Sequence, residues 1–251
     1  MNKKKKSDAK SRALSAIVCF LLPIVLYFAS LLLSSSWPIA VGIAIILAAG
    51  FVEFFRLFAK AGGPYAPGIA LLIVYMMGLI TALSAARSGL NGVGTVFAIQ
   101  LSAQFYDFTA YAVGVTIGKT KIAEVKGLEW YKGVSPNKTV QGTLGGWIVS
   151  IALTAIVVYL GQSVGLLGNY AWVACAVPIF AFIGDSLGSF AKRQAGVKDS
   201  TLYDELAGSQ KQQPWHALLL KAQGGYIDRY GSVAAGVLGV AIILMLVGGV
   251  I

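Results

Sequence analysis

Residues 38–58 read PIAVGIAIILAAGFVEFFRLF, an apolar run interrupted by one acid, Glu53, and one base, Arg56. As a helix rising 1.5 Å per residue, a run of this length crosses the ~30 Å hydrocarbon core of a bilayer. The same pattern recurs along the 251-residue chain at roughly 13–34, 67–86, 92–117, 144–162, 168–190 and 231–251, each run ended by charges or by Gly and Pro. Composition agrees, with 57% hydrophobic and 12% charged residues, where a soluble domain carries about a quarter charged. A water-soluble enzyme is all but excluded. The expected fold class is all-α, a polytopic membrane protein with about seven transmembrane helices.

Orientation follows from the basic residues. Lys3, Lys4, Lys5, Lys6, Lys10 and Arg12 precede the first run, which is too long for a signal peptide and lacks a convincing cleavage site. With the N-terminus cytoplasmic, all of the 20 Lys and Arg except Arg87 fall on one side, as cytoplasmic loops require. The chain then divides into a basic cytoplasmic tail at 1–12, N-terminal transmembrane helices over 13–104, and a transmembrane region over 105–251. Two long loops of that last region, 118–143 and 191–230, are expected on the cytoplasmic side and hold most of its polar residues. The net charge of +10 would suggest nucleic acid in a soluble protein. Here it marks topology and attraction to anionic headgroups, and no nucleic-acid partner is expected. Cys19 and Cys175 each sit inside an apolar run, which leaves neither a disulfide framework nor a CxxC metal site.

An ionisable residue at the centre of a span costs about 2.5–3.5 kcal/mol on insertion scales, so each one asks for a reason. Glu53 has Arg56 three residues on. Asp107 lies in QFYDFTAY (104–111) with no base until Lys119, and Asp185 precedes Lys192 and Arg193 near the end of its run. The stretch GVTIGKT (114–120) fails as a phosphate loop, because only three residues separate its glycines and no strand precedes it. Its glycines suit close helix packing instead. The sequon Asn137-Lys138-Thr139 falls on the cytoplasmic side. Around it, SPNKTVQGTLGG (135–146) offers hydroxyls, a lysine and glycines, a composition suited to phosphate oxygens but equally to a capped loop entering a helix. The second loop sets Lys192, Arg193, Lys198 and Arg229 close in sequence to Asp185, Asp199 and Asp228. Acids for a divalent metal beside bases for phosphates are the parts of phosphoryl or nucleotidyl transfer.

Four linked elements resemble the membrane phosphatidate cytidylyltransferases, or CDP-diacylglycerol synthases. Ser189, Lys192, Arg193, Lys198 and Asp199 stand at the spacing of that family's signature, followed by Gly224, Gly225, Asp228 and Arg229. Upstream, Asp107, Ala110, Tyr111, Gly114, Gly118 and Lys119 are similar to a second element, and Ser135, Pro136, Lys138, Thr139, Gly142, Gly145 and Gly146 to a third. The resemblance implies an Mg²⁺-dependent enzyme that joins CTP and phosphatidate into CDP-diacylglycerol and pyrophosphate at the bilayer. It implies that Asp185 and Asp228 hold the metal, with Ser189, Lys192, Arg193 and Lys198 around the phosphates and Ser135, Lys138 and Thr139 facing them. Asp107, Lys119, Asp199 and Arg229 join the substrate-binding set by the same resemblance. A homodimer is compatible with it. The chain departs from the family pattern at Gln141, Gly188, Gln223 and Gly231, and the stretch 200–222, which holds the lone histidine His216, is longer than usual. The alternatives kept are a relative acting on another lipid phosphate or a polyprenol, and a non-catalytic membrane protein.

Overall fold

The computed structural model describes residues 21–197 and 226–246. They form helices α1 (Leu21–Leu32), α2 (Trp37–Lys60), α3 (Ala66–Arg87), α4 (Leu90–Ile117), α5 (Val140–Ser163), α6 (Val177–Gln194) and α7 (Tyr226–Leu246). Short 3-10 turns occupy Ile122–Glu124, Glu129–Gly133 and Asn169–Ala176. Among the described residues there is no strand, only an isolated bridge between Lys121 and Thr139. The all-α expectation therefore holds. Four stretches are long and apolar enough to cross a membrane: Trp37–Lys60, Ala66–Arg87, Val140–Ser163 and Ala171–Gln194. Helix α4 is longer, at 28 residues, but carries Gln100, Ser102, Gln104 and Asp107 and is less apolar than α2, α3 or α5. The outer parts of the first and last expected runs lie outside the described residues.

Four expected boundaries move. The loop placed at 118–143 ends at Thr139, because the Thr139 hydroxyl accepts the Gly142 N–H at 3.1 Å and caps α5. The loop placed at 191–230 is shorter at both ends. Helix α6 continues through Lys192 and Arg193, whose charges favour a helix C-terminus, and stops at Gly196 with φ +71°. There Gly196 N–H bonds Arg193 O and Val197 N–H bonds Lys192 O, the paired closure of a Schellman motif. At the far end, Asp228 and Arg229 belong to the first turn of α7. The run at 168–190 begins as a 3-10 turn rather than α-helix, and Pro178 then opens α6. Proline has no N–H, so the Ala174 carbonyl four residues earlier takes the Val177 N–H instead and closes the 3-10 turn. Ser102 of α4 donates to that carbonyl at 2.8 Å, and Thr154 of α5 bonds Ser102 at 3.0 Å. One polar thread thus ties three buried segments where no water can.

Small residues set how closely the helices approach. A Cβ on Gly146 of α5 would lie 2.8 Å from the Ala110 Cα of α4, and one on Gly78 of α3 would lie 2.1 Å from the Ala234 carbonyl oxygen of α7. One on Gly184 of α6 would meet the Ala235 Cβ at 2.6 Å. Such contacts drive association in lipid, where burying apolar surface brings no gain over the acyl chains. Side chains facing outward are apolar as lipid exposure demands: Leu32, Trp37, Phe108 and Ile148 are each more than two-thirds exposed.

Contacts fix which ends lie together. The Tyr65 hydroxyl at the start of α3 donates to Ala191 O near the end of α6, and the α4–α5 loop rests on α6 at the same end. At the opposite end, Asn91 touches Gly168 and the Tyr27 hydroxyl donates to Leu166 O. Lys60, Lys192 and Arg193 occupy last turns at the first end, and Arg87 a last turn at the other. Since Gly78 meets backbone rather than a movable side chain, Gly78→Val is expected to destabilise the protein by about 1–3 kcal/mol, the cost of overpacking. The check is a thermal-melting comparison in detergent; an unchanged midpoint would contradict the α3–α7 contact.

Candidate functional site

At the basic end of the bundle a cleft of about 470 Å³ opens between the second half of α4, the start of α5, the middle of α6 and the loop joining α4 to α5. Its polar lining includes Asp107, Ser135, Lys138, Thr139, Thr143 and Asp185, and its apolar lining includes Ala110, Tyr111 and Val115. Tyr111 and Val115 are largely exposed on the outer surface of α4. The cleft therefore has one polar wall and one wall continuous with the helix surface that would face lipid.

Each wall follows from local sequence. Ala110, Gly114, Gly142 and Gly146 let α4 and α5 touch, since a Cβ at Gly142 would lie 2.9 Å from both Ala110 O and Gly114 Cα. The loop between them is pinned at its neck. Ile122 N–H bonds Lys138 O at 3.0 Å and Val140 N–H bonds Thr120 O at 2.9 Å. Gln141 completes the neck, its Oε1 accepting the N–H groups of Lys119 and Thr120 at 3.2 and 3.1 Å. Its Nε2 also donates to Thr120 Oγ1 at 3.3 Å, so this departure from the family pattern has a structural task that uses both ends of the amide. At Gly188 and Gly231 an added Cβ would meet nothing closer than 4.0 Å, so neither glycine is demanded by packing.

The charged centre of the cleft is the pair formed by Lys138 Nζ and Asp185 Oδ2, 2.5 Å apart. The ammonium also lies 4.8 Å from the centroid of the Phe182 ring, one helical turn before Asp185 on α6. Burial pulls the Lys138 pKa down, but the Asp185 carboxylate and the Tyr131 hydroxyl outweigh it, leaving the pKa above its ordinary 10.5. Asp107 accepts a 3.5 Å hydrogen bond from Ser232, a buried residue of α7. Through Ser232 the fourth helix of the site is tied to the cleft, and Asp228 occupies the position one turn earlier on α7.

Of the residues expected from sequence, the structure brings Asp107, Ser135, Lys138, Thr139 and Asp185 into one cleft. Ser189 and Lys192 are outside its lining but follow Asp185 at four and seven residues along α6, on the same helical stripe. Arg193 is turned away, its guanidinium bonding Val197 O at 3.4 Å, and Lys119 is exposed beyond the neck. Lys198 and Asp199 lie outside the described residues, as do Gln223 and the 200–222 stretch, and the side chains of Asp228 and Arg229 are not described. Sequence reading missed Tyr106, Asn137 and Thr143, which also line the cleft, and Tyr131 and Phe182 behind it. Aromatic residues in an apolar chain give no signal of their own; the only pointer was that Thr143 and Tyr106 each neighbour a motif residue by one helical turn or less.

Among the described residues no three His, Cys, Asp or Glu side chains converge as a metal cluster. Two carboxylates, Asp107 and Asp185, nevertheless open on the one cleft. That donor set suits Mg²⁺, which is commonly held by one or two carboxylates together with substrate phosphates rather than by an all-protein cage.

A sequence model of the family described as "Cytidylyltransferase family" matches residues 4–203. The chain is 29% identical to a protein named phosphatidate cytidylyltransferase from Staphylococcus haemolyticus over 126 residues, 50% of this chain and 39% of that one. The Bacillus subtilis protein of the same name is 29% identical over 126 residues, 50% of this chain and 38% of its own length. That of Haemophilus influenzae is 29% identical over 136 residues, 52% and 38% respectively. The chain thus spans about two-fifths of the length of the curated relatives it matches.

The upward shift at Lys138 fixes a sign. A cation held above 10.5 in the folded state contributes stability that is whole below 10.5 and is lost as pH rises through the higher folded value. The melting-temperature gap between wild type and Lys138→Met should therefore stay constant from about pH 7 to 9. A gap that narrows within that window would contradict the ion pair's hold on the ammonium.

Proposed function

This chain belongs to the cytidylyltransferase family, and from that premise we propose that it transfers the cytidylyl group of CTP to phosphatidate, releasing pyrophosphate and forming CDP-diacylglycerol. The observation that carries this reading is the cleft itself, where Lys138, Thr139 and Ser135 face Asp185 and Asp107 at the basic end of a membrane-type bundle, with an apolar wall beside them. A lipid phosphate needs both surroundings at once. We further propose the arrangement expected from the sequence: seven spans, a cytoplasmic N-terminus, and this end of the bundle at the cytoplasmic face of the cell's inner membrane.

In the proposed reaction a phosphate oxygen of phosphatidate forms a bond to the α-phosphorus of CTP while the bond from that phosphorus to the β-phosphate bridging oxygen breaks. No general base is required, because a phosphate monoester is already ionised near neutral pH. Negative charge gathers on the departing pyrophosphate. Lys138 is a fixed, fully protonated counter-charge for it, Thr139 and Ser135 offer hydroxyl donors, and the first turn of α5 presents the positive end of a helix dipole to the same cleft. In this proposal Asp185 and Asp228 are the acids that would hold Mg²⁺, and Asp107, steadied by Ser232, opens on the same cleft as Asp185. When bound, Mg²⁺ supplies further neutralisation of triphosphate charge. Ser189 and Lys192 continue the α6 stripe toward the second loop, where Lys198, Asp199 and Arg229 are proposed to complete the phosphate-binding set with Arg193 and Lys119 at its edge.

The test is incorporation of radiolabelled CTP into chloroform-soluble product by purified protein in detergent, with phosphatidate, and with Mg²⁺ or EDTA. Label entering lipid only when phosphatidate and Mg²⁺ are both present is the expected result; no incorporation would sink the assignment. Lys138→Ala, which deletes a charge-assisted hydrogen bond, is expected to lower kcat/KM for CTP by about tenfold to a hundredfold. Asp228→Asn should abolish the Mg²⁺-dependent activity while membrane insertion is unchanged, and wild-type turnover in that variant would remove the metal role.

A further inference from the structure

Tyr131 is the one polar side chain of the α4–α5 loop that is fully packed away, 4% exposed within the turn Glu129–Gly133. Its ring lies nearly parallel to Phe182, centroids 6.4 Å apart and planes 17° apart. Its hydroxyl shares a 2.8 Å hydrogen bond with Ser186 Oγ. Phe182 and Ser186 are one turn apart on α6, with Asp185 between them, so Tyr131 grips the same turn that carries the cleft's acid. Neither Tyr131 nor Ser186 lines the cleft.

The rest of the loop's contact with α6 is a small apolar cluster in which Ile122 and Val134 join Tyr131 against Phe182 and Phe190. Apolar contact is non-directional and does not set register. Directional restraint comes from Tyr131–Ser186 and from Lys138–Asp185. These two differ in one respect that matters. Any phosphate drawn to Lys138, or any cation drawn to Asp185, competes with the ion pair, so that restraint weakens when the site fills. The hydroxyl pair lies behind the cleft, where a ligand does not reach it.

We propose that Tyr131 and Ser186 act as the positioning pair of this site, their hydrogen bond keeping the loop that carries Lys138 in register on the turn of α6 that carries Asp185 while ligands exchange. They touch no reacting atom and act only through those two charged residues. The proposal rests on the reading of the cleft as a nucleotide site in its kinetic consequence, though not in its geometric one.

The experiment compares wild type, Tyr131→Phe, Ser186→Ala, the double variant and Ser186→Thr, each as full-length protein in detergent. The first readout is the rate at which an amine-acylating reagent labels Lys138, quantified by mass spectrometry without ligand. Each single variant should raise labelling about three- to tenfold, the net worth of one neutral hydrogen bond. The second readout is kcat/KM for CTP, expected to fall by about the same factor with the melting temperature nearly unchanged. Both singles delete the Tyr131–Ser186 bond and Tyr131→Phe also removes the hydroxyl beside Lys138, so Tyr131→Phe should be the worse single and the double no worse than it, while Ser186→Thr, which keeps the hydroxyl, should stay near wild type. Labelling and kinetics within about twofold of wild type in both singles, or defects that add, overturn the proposal. Should Tyr131→Phe fail to fold, Ser186→Ala against Ser186→Thr decides it. A wild type that labels no lipid overturns the assigned reaction instead, and the Lys138 labelling comparison still decides the positioning pair.

Discussion

The cleft exists because α4 and α5 approach until backbone meets backbone at Ala110, Gly142 and Gly146. At that separation the two helices cannot interpose side chains, so the polar groups that flank the crossing are pushed to one side and share a single space. Asp107 lies one turn before the contact on α4, and Thr139, Gly142 and Thr143 lie at the start of α5. The loop that joins α4 to α5, pinned at its neck, passes over α6, and Lys138 arrives opposite Asp185. A larger residue at Gly142 or Gly146 would part the helices, and the distance from Asp107 to Lys138 would no longer be set by the fold.

The same economy governs the polar groups that serve no substrate. In hydrocarbon an open carbonyl has no water to turn to, and each one left bare costs several kcal/mol. Where the 3-10 turn gives way to α6, the Ala174 carbonyl takes the Val177 N–H and also the hydroxyl of Ser102, itself bonded by Thr154, so neither hydroxyl is left bare. The Tyr75 hydroxyl closes on Ile46 O in the space left by Gly50. These bonds do more than satisfy donors. The bonds at Ser102 fix rotation of α4 about its axis, and that rotation decides whether Asp107 opens on the cleft or on lipid.

Much of this was legible in the sequence. Runs of apolar residues have a length that only a membrane helix explains, and the positions of the helices follow them closely. The motif residues Asp107, Ser135, Lys138, Thr139 and Asp185, scattered over 79 positions, converge on one cleft. The misses share a physical cause. Whether Thr139 starts a helix or sits within a loop depends on a single cap bond, and whether Lys192 ends a helix or begins a loop depends on Gly196 four residues on; composition is nearly blind to both. Tyr131 and Phe182 escaped because an aromatic residue in an apolar chain carries no pattern of its own. Their task is visible only once two distant segments touch.

A lysine and an aspartate 2.5 Å apart at the edge of an apolar bundle also bear on how charge is carried beside lipid. Removing two charges from water is costly, and their attraction repays it only when geometry is good and neighbouring donors are satisfied. Phe182 beneath the ammonium and Tyr131 behind it supply that geometry. Lys138 and Asp185 therefore cancel each other, which leaves Asp107, bonded by Ser232, as the remaining carboxylate lining the cleft. In the reaction proposed above, a triphosphate brought in together with a divalent cation would exchange one matched pair of charges for another, phosphate oxygens taking the lysine and the cation the aspartate. On that proposal neither Lys138 nor Asp185 is stranded, and binding is not spent on desolvating a bare acid or a bare base.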